Sequence, residues 1–526
     1  MAALSFASSF GDHAVLQQAP AQAVVWGFAP AALGVTLTLA GGGLSSKLYG
    51  HLEPFNATAY TWRVSLPPIA AARDKGAAVP YSITIEQAGA PSATLRDVLF
   101  GEVWICSGQS NMAFLVENAF GGADLVQDAN NHPEVRLFTT RKLTAGAPLQ
   151  ELGQDTNEGG WVGGVELPWS IASNVSISDD GAHDANDDNW LYMSAVCYLY
   201  GLEIHTALGV PVGLLNTNWG GTAIQDWCPQ AALDDCSHVA PTPGRLGVAT
   251  HLYNAMIHPL MNHTIKGVVW YQGESNGGDP EGYSCLQPAM IKRWREGWAA
   301  GSNTDPSFPF GLVQLAGNTG DTFGLPQFRW LGQTDGYGVL PNPKMPNTFM
   351  AASYDLGDAP SPFGSVHSRN KKEVGHRLAV AGLRVAYGNT SVHAGPAFAS
   401  ARKDGATVVL TFRDVGAAGL ALSKMNVTMA LNVTQWAGDT PFEVCERTSA
   451  AAGDDDPCGA MGGVDGWSAP KTTALGAGGD TVVLGGLSGD VAAVRYAWRG
   501  YPCERAACGL HSKKEGLPPP PFYVAL

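Results

Sequence analysis

Ser110 is the residue whose surroundings first suggest chemistry. It lies in VWICSGQSNM, Val103 to Met112, where a glycine-containing turn follows an apolar, strand-like run. A serine placed after a strand and ahead of a helix is exposed. Its N–H can donate to an oxyanion, and the positive end of the helix dipole favours negative charge developing nearby. The same placement suits a helix N-cap, with Asn111 opening the helix, because serine is among the commonest caps. On this stretch alone the cap has the advantage over the nucleophile.

A nucleophilic hydroxyl needs a base, usually histidine, in reach. Of the 13 histidines, His367 in SPFGSVHSRNKKEVGHRL is placed best, since it follows a strand pattern by a short loop and leads into a helix. His376, inside that helix, reads as a surface or packing residue. Asp355 and Asp358, in DLGD at the end of the preceding strand, are the candidates to orient the imidazole. Two other strand ends supply donors for a tetrahedral oxyanion. NTNWGGTAIQDW offers the N–H of Gly220 or Gly221, and WYQGESN offers the Gln272 amide or Asn276. Each has a plain alternative, a turn glycine or a glutamine tying loops together. Their joint presence at separate strand ends outweighs coincidence and turns Ser110 from cap to nucleophile.

Groups arranged in this way call for an α/β sheet, in which loops at the carboxyl ends of parallel strands form the ligand crevice. Apolar runs without alternation predict strands covered on both faces. They are EVWIC, VGLLN (Val212 to Asn216), GVVWY (Gly267 to Tyr271), FGLVQL (Phe310 to Leu315) and TFMAASYD (Thr348 to Asp355). Helical spacing joins Val196, Leu199 and Tyr200, then Met290, Trp294 and Trp298, then Val374, Leu378 and Ala381. GGADLVQDANNHPEVRLFTTRKL and the Gly/Asp-rich stretch 150–190 predict an irregular insertion, and 317–347 a surface loop region. Short β segments bounded by Gly or Pro fill the chain from Leu4 to Leu99 and predict a sandwich. β patterning returns after Gly388 in ATVVLTFRD, DTVVLGGL and AAVRYAW, and the tail GLPPPPFYVAL predicts a rigid surface clasp. The expected organisation is a β-rich domain over 1–97, an α/β domain with insertions over 98–388, and a β-rich region over 389–526.

A chain of 526 residues exceeds what one core can organise. Its 45% hydrophobic and 15% charged content is that of a globular protein, and 65 glycines with 34 prolines favour sheet-containing layers over helical bundles. No stretch approaches the roughly 18 apolar residues of a membrane span, so a soluble protein is expected. A net charge of -15, with 31 basic against 46 acidic residues, argues against a nucleic-acid partner. An anionic small substrate would need a local arginine or lysine. None of the nine cysteines forms a CxxC or a Cys/His set with zinc spacing, so no metal site is expected. Cys228/Cys236, Cys445/Cys458 and Cys503/Cys508 are spaced for local disulfides, and Cys106 is the expected odd thiol. Sequons at Asn56, Asn174, Asn262, Asn389, Asn426 and Asn432 point with the cysteines to a secretory route. MAALSFASSFGDHAVL has neither a basic n-region nor a long apolar core, so either an export signal lies outside this sequence or the protein is cytosolic.

GEVWICSGQSNM, NWGGT, GVVWYQGESN, PFGLVQL, PNPKMPNTFMA and SPFGSVHSRNKKEVG occur in an order that resembles the sialate O-acetylesterase family, a branch of the SGNH hydrolases. The likeness continues in AVLQQAPAQAVVWGF and AVRYAWRGYPCE, so it covers nearly the whole chain. The resemblance implies an SGNH-like α/β fold with β-rich flanks. It implies hydrolysis of O-acetyl esters of sialic acids without a cofactor, through a Ser-His(-Asp) acetyl-enzyme, in a secreted or lysosomal glycoprotein. It makes Ser110 the nucleophile, a glycine of WGGT the second oxyanion donor, the QGESN block the third, and His367 the base. The general SGNH pattern places an acid three residues before the histidine, where this chain has Gly364. Asp355, Asp358 and a Ser/His dyad oriented by a backbone carbonyl therefore all stay open. Ser368 stands where the family often has proline. A sialic acid carboxylate calls for an arginine, and Arg329 in PQFRW and Arg369 beside His367 are the candidates. Trp219, Trp227, Trp270 and Tyr271 adjoin the proposed donors and can stack on sugar faces, with packing favoured for Trp270. Other acetylated sugars, such as acetylxylan, are the alternative substrates. A non-catalytic carbohydrate-binding protein is the alternative class, against which the intact Ser110/His367 pair argues.

Overall fold

The computed structural model describes residues 3–526 except 57–58, 75, 154–162, 179–191, 240–248, 320–323, 424, 426–439, 448–457, 459–465, 488–489 and 504–506. The sequons at Asn426 and Asn432 lie outside the described residues. The chain forms two compact units, Met1–Asp235 with Pro243–Trp270 and Ala289–Phe310, and Cys236–Thr242 with Tyr271–Pro288 and Gly311–Leu526.

In the first unit the long strand Ala93–Gly108 is shared by two layers. Its beginning pairs antiparallel with Tyr81–Gln87, and Leu99 to Gly101 pair with Val15–Gln17. Its end lies in a sheet ordered Val165–Ile171, Val135–Thr140, Val212–Asn218, Ala93–Gly108, Gly267–Tyr271. The expected boundary between residues 97 and 98 thus falls inside a strand. Val103, Trp104, Ile105 and Cys106 are all fully buried, as are Val212, Leu214, Leu215, Val268 and Val269. Burial on both faces is why these runs lack alternation. Each large apolar side chain so buried contributes about 1.5–3 kcal/mol, which holds the strand ends in place.

Val135–Thr140, expected within an irregular insertion, is a fully buried strand parallel to Val212–Asn218. Arg136 hides it in the sequence by breaking the apolar run. The structure accommodates that charge by having the guanidinium donate to the Pro133 and His13 carbonyls and to Asp97. The helix Gly122–Asp128 also lies in the stretch expected to be irregular.

The N-terminal strands form a sheet ordered Ser5–Phe6, Val24–Ala29, Ala59–Ser65, His51–Asn56, and a second layer in which Val35–Gly41 pairs with Leu44–Tyr49 and Tyr81–Gln87. Trp26 and Trp62 from the first layer and Leu37, Leu39, Ile83 and Ile85 from the second share one core.

In the second unit Phe310–Val313 neighbours Thr348–Ala351, and the helix Lys371–Tyr387 ends on Gly388 in the left-handed region with φ 65°. Two four-stranded antiparallel sheets follow, ordered Ala397–Asp404, Thr407–Arg413, Thr481–Gly485, Thr472–Leu475 and Trp467–Ser468, Phe442–Arg447, Asp490–Tyr496, Phe522–Ala525. The proline-rich tail is more than a surface clasp. It ends as a sheet strand whose Phe522 is buried and stacks on Phe398 at 4.1 Å. The region 317–347 is likewise not all surface loop. Gly324–Gln327 runs into a wide turn, Phe328–Gly332, with Phe328 and Arg329 fully buried. Polar side chains do the packing there, as when Gln333 bonds the Val313 carbonyl and the Leu315 N–H.

Disulfides join Cys106 to Cys197, Cys236 to Cys285, Cys445 to Cys458 and Cys503 to Cys508. The last two pairs match the expectation. Two corrections follow from the others: Cys106 is bonded, not a thiol, and Cys228 is a buried thiol instead of the partner of Cys236. Nearness along the chain misleads here because Cys236 meets a helix residue 49 positions on. Four such bonds belong to proteins of oxidising compartments. No helix among the described residues is long and apolar enough to cross a membrane.

Candidate active site

The candidate residues fall in both units. In the first, Ser110 opens the single-turn helix Ser110–Ala113, and Gln109, in extended geometry, is the N-cap. Ser110 is therefore the first residue of this helix and not its cap. The helix has only four residues, so its dipole adds less than a full helix would. Ser110 is half-buried, whereas Asn111, Met112 and Ala113 are buried beneath it. The preceding strand is anchored by the Cys106–Cys197 bond to the helix Ala195–Leu208, which Ser194 caps by accepting from the Cys197 N–H at 3.1 Å.

Register places the WGGT turn beside this serine. Parallel pairing sets Asn218 level with Gly108, and the Trp219 N–H donates to the Gly108 carbonyl at 3.0 Å. The next residue, Gly220, comes so close that a Cβ there would lie 3.3 Å from Ser110 Cβ. Gly221, with φ 72°, occupies a backbone conformation that favours glycine. Sequence reasoning missed the groups that hold this turn. Thr222 donates to the Trp219 carbonyl at 2.7 Å and accepts from Trp227 Nε1 at 2.9 Å. Asp226 accepts from the Ala223 N–H at 3.0 Å, and burial raises its carboxyl to about 6. Trp227, expected against a sugar, is wholly buried and packs edge-on to Trp270, whereas Trp219 remains half-exposed.

In the second unit Gln272 follows the strand Gly267–Tyr271 and donates through Nε2 to Asn276 Oδ1 at 2.9 Å. Both are buried, and Tyr283 Oη donates to the Gln272 carbonyl at 3.2 Å. Gly273 has φ 146° and no room for a Cβ, which would sit 2.7 Å from the Phe328 ring. The turn QGESN is thereby fixed by packing as well as by hydrogen bonds.

His367 is half-buried in the loop before Lys371–Tyr387, and its Nδ1 lies 2.7 Å from the Phe363 carbonyl. A carbonyl only accepts, so Nδ1 carries the proton and the neutral ring presents Nε2 as the acceptor, the form a general base needs. Burial pushes the imidazole below its ordinary range, the Phe363 carbonyl opposes this, and the Lys371 ammonium adds to it. Both carboxylates expected behind the ring are paired with arginines. Asp355 forms a two-bonded pair with Arg377 at 2.6 and 2.8 Å, and Asp358 another with Arg369 at 2.6 and 3.0 Å. His376 is exposed on the helix.

Arg329, expected at a substrate carboxylate, is wholly buried and donates to the carbonyls of Leu315, Ala316, Arg499 and Gly500. Its charge serves the interior of the second unit. The side chain of Arg369 keeps partial exposure. Lys371 is a further residue the sequence reading left unused. It is fully buried, and in SRNKKEVG only its proximity to His367 singles it out.

A parallel sheet whose strand end presents a half-buried serine against a glycine turn, with β-rich additions on either side, is the fold of an SGNH-like α/β hydrolase. Residues 196–384, which include Gly220, Gln272 and His367, match the family of carbohydrate esterases described as sialic acid-specific acetylesterases, and 419–526 match the sialate O-acetylesterase C-terminal domain. Sialate O-acetylesterase of Mus musculus is 34% identical over 570 residues, covering 99% of this chain and 94% of its own. That of Homo sapiens is 34% identical over 541 residues, covering 99% and 92%. A carbohydrate acetylesterase from Xanthomonas citri has a similar structure, with TM-score 0.71, 28% identity and 99% coverage of each chain. The chain belongs to the sialate O-acetylesterase family of carboxylic ester hydrolases.

Proposed function

We propose that this protein removes O-acetyl groups from sialic acids by way of an acetyl-enzyme on Ser110. The close approach of Gly220 to Ser110 carries the serine chemistry, and the named activity of the relatives supports the substrate. His367 Nε2 takes the Ser110 proton as Oγ attacks the acetyl carbonyl. The oxyanion accepts hydrogen bonds from the Ser110 and Gly220 N–H groups and the Gln272 amide, with Asn276 orienting that amide. Collapse breaks the ester bond, and His367 returns the proton to the departing sugar oxygen. Water, deprotonated by His367, then releases acetate and restores Ser110. No step calls for a cofactor. The disulfides and the sequons at Asn56, Asn174, Asn262 and Asn389 support secretion or delivery to lysosomes.

The Xanthomonas citri relative, named only as a carbohydrate acetylesterase, favours a second reading in which other acetylated sugars are the substrate. Side-by-side kcat/KM on O-acetylated sialic acid and acetylxylan separates the two. We expect a preference for the sialate of about tenfold or more, the range a few polar contacts supply, and a preference for acetylxylan would replace the first reading by the second.

The Phe363 carbonyl supports a Ser/His dyad, and this reading has its own test. Asp358→Asn is expected to keep kcat within about tenfold of wild type, where loss of a true triad acid costs about 10⁴. Asp355→Asn is expected to cost about 3 kcal/mol of stability, because buried Arg377 loses its two-bonded partner and keeps only the Glu373 carboxylate at 3.1 Å. Denaturant unfolding and aryl acetate turnover read both outcomes.

A further inference from the structure

We propose that Lys371 is a positioning residue for this reaction, its buried ammonium joining the turn that carries Gln272 to the helix entry that carries His367. The proposal rests on the Ser110/His367 reading above. Lys371 is the first residue of Lys371–Tyr387 and is 0% exposed, while the adjoining Lys372 is exposed. Interior lysines are costly unless their charge is used. Here Nζ lies 5.2 Å from the centre of the Tyr271 ring, a cation–π distance. The Glu274 carboxylate acts on it as well. Tyr271 and Glu274 flank Gln272 and Gly273, whose φ is 146°, so the ammonium engages both ends of the short segment that aims the proposed oxyanion donor.

On its other side Lys371 follows His367 by four residues and lies in the field of Asp358, which Arg369 holds. Ser368 donates to the Leu356 carbonyl at 2.5 Å and accepts from the Asn370 N–H at 3.1 Å, so the segment between His367 and Lys371 is itself pinned. The groups acting on the ammonium include Tyr271 and Glu274 from the strand end, Asp358 from the loop after Thr348–Ala351, and His367 on its own segment, with Arg369 one pair removed. Burial lowers Lys371 to about 7, so below neutrality the ammonium is present and opposes protonation of His367. The lysine thereby keeps the base competent on the acid side while holding the donor turn.

The test is the pH–rate profile of the full chain on an aryl acetate for wild type, Lys371→Met, Lys371→Arg and Ser110→Ala. Lys371→Met is expected to lower kcat about tenfold or more, a fraction of the 10²–10³ that a lost oxyanion donor costs, with KM little changed. Its acid limb should move up by about one pH unit, the effect of one charge within roughly 10 Å at an effective dielectric near 20. Lys371→Arg should keep the wild-type acid limb. Should Lys371→Met fail to fold, Lys371→Gln is read in its place. A neutral variant with wild-type kcat and an unmoved acid limb, beside an inactive Ser110→Ala, overturns the role of Lys371 alone. An active Ser110→Ala overturns the underlying reading and the role of Lys371 with it.

Discussion

Ser110→Ala is expected to lower turnover of O-acetylated sialic acid and of a generic aryl acetate by about 10⁴-fold or more, with stability within about 1 kcal/mol of wild type. The two readings of this serine make opposite forecasts. A serine that only opens the helix contributes little to stability and nothing to turnover. A nucleophile contributes the acetyl-enzyme pathway. Ser110 is the first helical residue, where alanine is well tolerated, so removing the hydroxyl leaves the one-turn helix able to form. The backbone N–H groups of residues 110 and 220 survive the change, so slow hydrolysis by water at the oxyanion site is the expected residue of activity. Covalent labelling by a serine-reactive phosphonate checks the same point and should disappear in the variant. A variant with near-normal hydrolysis would remove Ser110 from the mechanism.

Where burial is carried by apolar side chains, the fold was legible before the structure. VWIC, VGLL and GVVW are unbroken because helices or other chain segments cover both faces of their strands, and that continuity marks a parallel sheet. Position followed from the same strands, since a strand end is where a loop can present a hydroxyl, a glycine N–H or an amide. Legibility failed where a charged side chain is buried against partners distant in the chain. Arg136 concealed a buried strand, Arg329 looked like a ligand for an anion, and Lys371 drew no reading at all. Hydropathy treats a charge as exposed, and only the three-dimensional partners reveal otherwise. The disulfides failed for a related reason. Cys106 in its apolar run looks like a packed thiol, and nothing local announces Cys197, 91 residues on.

His367→Ala should cost about 10⁴-fold in kcat, and the wild-type enzyme should retain activity further into acid than an unperturbed imidazole allows. The base must be unprotonated, so kcat/KM falls as pH falls through the pKa of His367. Burial and the Lys371 ammonium place that pKa below the ordinary value of about 6.5. The acid limb is accordingly expected below pH 6.5, with the loss growing as pH drops further. A carboxylate behind the ring would work in the opposite direction by stabilising imidazolium and moving the limb up. On the proposed dyad reading the Phe363 carbonyl fixes the tautomer while adding no full charge, which separates tautomer control from the charge stabilisation that a triad acid supplies with it. That separation has a kinetic signature. His367→Ala should slow phosphonate labelling of Ser110 by a factor comparable to its loss of kcat, since labelling needs the base but no leaving sugar. An acid limb above pH 6.5 in wild type would instead mean that a carboxylate reaches the imidazole during catalysis, and Asp358→Asn would then move that limb down.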